Sequence, residues 1–123
     1  MEREIYRGEI YYARLYETVG SEQSGVRPVV IVQNNTGNRY SKTVIIVPLT
    51  KKIETNEIQP THVIVKAFGN IKYDSTILTE QVRTIDKKRL GERIGTLPHR
   101  YIKYLDEALK IAQGIKNYSD IKK

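Results

Sequence analysis

Residues 28–50 read PVVIVQNNTGNRYSKTVIIVPLT, two apolar runs around a polar block, and the fold is decided there. A half-buried strand alternates apolar and polar residues. A run in which every position is branched and apolar is instead covered on both faces, so PVVIVQ (28–33) and TVIIVPL (43–49) predict the two central strands of the core. NNTGNRYS between them is turn chemistry with room for one helical turn, and it makes the two strands antiparallel neighbours. Working outward, GEIYYARL (8–15) predicts a first strand, HVIVK (62–66) a fourth and STILTEQVRTI (75–85) a long fifth, bent near Thr79. DKKRL (86–90) reads as a short helix capped by Asp86, and ERIGTL (92–97) as a last strand. The period then changes: Tyr101, Leu105, Ala108 and Ala112 share one helical stripe, widened by Ile102, Leu109 and Ile111, with Pro98 suited to the first helical position. Six short strands and one helix leave exposed edges as an open sheet. A small curled β-barrel with a C-terminal helix, one domain over 1–123 with a flexible tail from about 116 to 123, removes them.

The composition narrows the function. At 123 residues, 39% hydrophobic and 28% charged, the chain has the make-up of a globular protein, and its longest apolar runs fall far short of the ~20 residues that span a bilayer. The start MEREIYRGE lacks an apolar signal region and cysteine is absent, so the expected compartment is the cytoplasm. A net charge of +7 favours polyanionic partners, of which nucleic acid is the commonest, and nine tyrosines provide rings that stack on bases or simply fill half-buried strand positions. The two histidines, His62 and His99, have no metal-ligand spacing, and no GxGxxG, P-loop or GxSxG motif occurs; neither metal nor cofactor is expected.

Arg27 stands at the seam between the flexible GSEQSG segment and the second strand. The following Pro28 restricts its backbone to extended geometry, which aims the side chain, while EQSG can flex as a lid. An ion pair with Glu22 across the loop would explain the same residue structurally. Thr50 ends the other central strand and is followed by Lys51 and Lys52. Antiparallel pairing would bring Arg27 and Thr50 to one rim, where a guanidinium fork, a hydroxyl and two ammoniums make a phosphate-binding set. In ILTEQVRTI, strand alternation turns Glu80 to the side of Leu78 and Val82, where a carboxylate needs a partner. An arginine or a base edge would serve, and Gln81 and Arg83 beside it carry groups that read bases.

Taken together, RGEIYYARL, GSEQSGVRPVVIVQN, VPLT and STILTEQVRTIDKKRL resemble the MazF/PemK family of toxin endoribonucleases of bacterial toxin–antitoxin systems, in order from about Arg7 to about Gly114. The resemblance implies an SH3-like (CcdB/PemK-like) barrel, a homodimer, metal-independent cleavage of single-stranded RNA at short sequences, and inhibition by a cognate MazE-like antitoxin. Position by position it implies catalytic roles for Arg27 and Thr50 and a supporting one for Glu22. Ser21, Asn34, Lys51, Lys52, Glu80, Gln81 and Arg83 are the expected RNA contacts. Val47-Pro48-Leu49 departs from the small residues that precede the threonine in relatives, and Pro48 removes an amide donor. RNA supplies its own 2′-hydroxyl nucleophile; arginine, Glu22 and water remain open as its base. The rivals are a CcdB-like toxin that acts by binding a protein such as gyrase, and a plain nucleic-acid-binding barrel.

Overall fold

The computed structural model describes residues 3–16, 18–51 and 59–117. The chain runs β1 (Glu9–Leu15), β2 (Gly25–Ile31), α1 (Asn35–Tyr40), β3 (Thr43–Lys51), β4 (His62–Val65), β5 (Ser75–Leu78), β6 (Arg83–Asp86), β7 (Leu90–Thr96) and α2 (His99–Ala112). Single 3₁₀ turns at Thr79–Gln81 and Lys87–Arg89 bracket β6. The strands form one antiparallel sheet in the order β4-β5-β3-β2-β1-β7, and β6 also pairs with β3. The expected mainly-β architecture with a C-terminal helix is present, but the sheet is open: among the described residues no ladder joins β7 to β4 or β6.

β3 is the spine. Along one edge it pairs with β2, Val29 facing Pro48 and Ile31 facing Ile46. Its first half, Thr43–Ile46, also pairs with β6, and its last three residues, Leu49–Lys51, with β5. Pro48 sits between these two ladders, where a missing N–H breaks neither of them. Residues of β1, β2 and β3 are buried alternately into two clusters. Ile10, Val30, Val47 and Leu49 pack with Val63, Ile77, Leu97 and with Leu105 and Ala108 of α2. Tyr11, Ala13, Val29, Ile31, Val44 and Ile46 pack with Ile85 and Leu90 on the other face. Two covered faces explain the unbroken apolar runs, each fully buried side chain contributing about 1.5–3 kcal/mol.

The expected long fifth strand is instead two strands. Thr79, fully buried, donates its hydroxyl to the Thr61 carbonyl and takes that same carbonyl with its amide, at 3.1 Å, so the chain turns there. This turn rotates Glu80 out to solvent, correcting the inward placement that alternation predicts. Asp86 does cap the following 3₁₀ turn, its carboxylate accepting from Lys88 N at 2.8 Å. Pro98 is the N-cap of α2 rather than its first residue, because its ψ of 139° is extended. The far part of the expected tail, 118–123, lies outside the described residues.

Candidate active site

The β2–β3 ladder ends where Val29 faces Pro48, two residues from Arg27 on one strand and two from Thr50 on the other. Both side chains line one cleft of about 350 Å³, together with Lys51. Buried Leu49 and Ile71 give it an apolar base, and the exposed rings of Tyr12 and Tyr73 stand at its mouth. Lys72, Asn70 and Ser75 complete the polar lining. Arg27, Lys51 and Lys72 thus bring three cations to the cleft, and among the described residues no carboxylate or imidazole lines it, a charge balance that suits an anion. The Lys51 ammonium also lies 4.5 Å from the centre of the Tyr73 ring, a cation–π contact that orients both.

Arg27 is exposed and donates its Nε–H to the Ser24 carbonyl at 3.0 Å. The bond fixes the inner edge of the guanidinium and leaves its two terminal nitrogens for a ligand. The alternative partner, Glu22, is not paired with it. Thr50 is half-buried and paired with Thr76 of β5, so its hydroxyl is carried by a strand with neighbours on both sides.

A second recess, about 330 Å³, is lined by Glu22, Gln23, Glu80, Gln81 and Arg83, with Leu15, Pro48 and Val82 behind them. Glu22 lines this recess, and Arg27 and Thr50 line the first. Glu80 is held by protein: its Oε2 lies 3.0 Å from His62 Nε2 and its Oε1 accepts from the Thr61 hydroxyl at 3.2 Å. Gln81 Oε1 accepts from the Gln23 amide at 2.8 Å, and Gln81 Nε2 donates to the Ser21 carbonyl at 3.4 Å. Gln23 Oε1 is shut off from solvent and has no hydrogen-bond partner. Asn34 lines neither recess; its Oδ1 accepts from Gly37 N at 2.8 Å and caps α1. Lys52 lies outside the described residues.

Tyr12, Asn70, Lys72 and Tyr73 escape sequence reasoning. Tyr12 reads as an ordinary strand tyrosine, although its pairing with Pro28 places it one step from Arg27. The other three belong to the 66–74 loop, folded by an isolated bridge between Phe68 and Ile71 and by Asp74 accepting from Ala67 N at 3.0 Å. No periodicity announces that arrangement.

A family model described as PemK-like, MazF-like toxin of type II toxin–antitoxin systems matches residues 6–112. The chain is similar to a solved endoribonuclease in complex with its cognate antitoxin from a mycobacterial species, at 26% identity and a TM-score of 0.74 over 91% of this chain and 97% of that one. It is also similar to an endoribonuclease from a mycobacterial species, at 25% identity and a TM-score of 0.72 over 91% and 93%. MazF from Deinococcus radiodurans, at 18% identity and a TM-score of 0.78 over 92% and 99%, shares the fold.

Proposed function

Because the chain belongs to the PemK-like, MazF-like toxins of type II toxin–antitoxin systems, we propose that it is a metal-independent endoribonuclease that cuts single-stranded RNA in the cleft between Arg27 and Thr50. One observation carries this reading: a guanidinium, a hydroxyl and two further cations share one cleft, and among the described residues no carboxylate lines it. The RNA 2′-oxygen attacks the adjacent phosphorus, and the bond to the 5′-oxygen breaks. The products are a 2′,3′-cyclic phosphate, open to hydrolysis to a 3′-phosphate, and a 5′-hydroxyl. The terminal nitrogens of Arg27 and the Thr50 hydroxyl donate to the phosphate oxygens as negative charge gathers on them, and loss of one such donor lowers the rate on the order of 10²–10³-fold.

The proton balance follows from acidity. A departing alkoxide is a stronger base than guanidine, so Arg27 can release a proton to the 5′-oxygen in the transition state and recover one from water. Water in the open cleft takes the 2′ proton, since Glu22 lines the neighbouring recess. Lys51 and Lys72 draw in the backbone, and Tyr12 and Tyr73 offer faces to flanking bases. The second recess, with Arg83 and Glu22, suits the edges of a neighbouring base. A cognate antitoxin and a second copy of the chain are the partners that go with this reading, in the cytoplasm.

Incubation with chelator present, using single-stranded RNA, DNA of the same sequence and RNA blocked at the 2′ position, tests it. Only the unmodified RNA should be cut, with a cyclic phosphate end. Cleavage of the DNA or of the blocked RNA, or loss of all activity in chelator, would contradict the mechanism. A protein that binds gyrase or another protein target, and leaves RNA intact, would establish the CcdB-like rival.

A further inference from the structure

Gln81 touches the loop before Arg27 and not the cleft itself, although its place in the sequence suggests a base contact. We infer that Gln81 is a positioning residue, a latch that holds the 21–24 loop so that the Ser24 carbonyl can aim Arg27. The chain of contacts is continuous. Gln81 Oε1 takes the Gln23 amide at 2.8 Å and Gln81 Nε2 reaches the Ser21 carbonyl at 3.4 Å. One residue beyond Gln23, the Ser24 carbonyl takes the Arg27 Nε–H at 3.0 Å.

The loop needs such a hold. It is bracketed by Gly20 and Gly25, at φ of 61° and 76°, where a side chain would meet open space; Gly25 is tied to the sheet by its pairing with Leu15, while the Gly20 end has no strand partner. The latch itself stands on a fixed base. Gln81 ends the 3₁₀ turn that begins at buried Thr79, and the neighbouring Glu80 is tied to both His62 and Thr61 at the start of β4. Gln81 therefore couples that base to the middle of the loop, between the Glu22 amide's bond to the Val19 carbonyl and the paired Gly25. Release would leave Arg27 exposed with its carbonyl partner free to drift, and a displacement of about 1 Å at a reacting group can lower a rate about 100-fold.

The kinetic part of this inference rests on the nuclease reading; the structural part does not. On the full chain, amide exchange followed by NMR should show the Gln23 N–H protected relative to the exposed loop around it, and Gln81→Ala should abolish that protection. Gln81→Glu retains an acceptor oxygen and should keep it. With saturating RNA, Gln81→Ala should lower kcat by about 10- to 100-fold with KM within about twofold, and Gln81→Glu should recover most of kcat. An unprotected Gln23 amide in the native protein overturns the latch, whether or not the alanine variant folds. A raised KM or a changed cleavage sequence in Gln81→Ala, at unchanged kcat and unchanged Gln23 exchange, overturns it too and makes Gln81 a base contact. If the native protein cuts no RNA at all, the nuclease reading fails while the exchange measurement still judges the latch.

Discussion

Arg27 and Thr50 are unremarkable residues taken singly, one at the start of a strand and one near the end of another. What joins them is the one cleft that both line and the Ser24 carbonyl that occupies Arg27 Nε, and the chemistry proposed for them rests on that. Elsewhere single side chains settle stability. Tyr11, 1% exposed, donates its hydroxyl to Glu9 Oε1 at 3.1 Å, and Glu9 Oε2 in turn meets Arg93 Nε at 2.7 Å. Burial, and then the Glu9 carboxylate, push the Tyr11 phenol up to about 12 from its ordinary 10.0. The folded chain then holds a proton that the unfolded chain has lost, so stability is intact below about pH 10 and falls as pH rises through about 12, by up to roughly 2–3 kcal/mol. Denaturant titrations between pH 9 and 12 should show this loss in the native protein, and Tyr11→Phe should lack that component. An equal alkaline loss in the variant would contradict it.

At the scale of elements, the central strands and the last helix were legible because their burial is periodic or continuous along the chain. β2 and β3 overlap the two apolar runs, β2 starting earlier at Gly25 and β3 ending later at Lys51, and α2 buries Leu105 and Ala108 of the predicted stripe. The break between β5 and β6 was not, because its cause is tertiary: Thr79 satisfies itself on the Thr61 carbonyl, a partner that local pattern does not name. Every reading that assumed an unbroken strand inherited the error, which is why Glu80 was placed inward when it pairs outward with His62. Asn34 shows the same limit on a smaller scale. Expected as an RNA contact, it is the N-cap of the six-residue α1, and the missed signal was the Asn-x-x-Gly start of the turn block. Asn34→Ala should lower stability by roughly 1 kcal/mol, about 4 °C in Tm, and leave RNA affinity unchanged. A large loss of affinity at unchanged Tm would restore the contact.

At the scale of the molecule, the charge of +7 points to a polyanion but not to where it would lie. The anion cleft combines Arg27 and Lys51, which sequence reading found at strand ends, with Lys72 and Tyr73 from a loop it could not place. Phosphate contacts by three cations give RNA binding a slope of about −2 in log affinity against log salt, about −0.7 for each. Lys72→Gln should make that slope shallower by about 0.7 without altering which sequence is cut. A flat salt response in the native protein would favour a protein target.

Convergence of Arg27 and Thr50 on one phosphate is tested most directly by a double-mutant cycle on RNA cleavage, with Arg27→Ala, Thr50→Val and the pair together. Donors that serve the same phosphorane act as a unit. Each single change should slow cleavage on the order of 10²–10³-fold, and the double variant should be slower than the worse single by no more than about tenfold. A double variant slowed by the full product of the two single effects would mean that the two groups act independently, and would contradict the shared site.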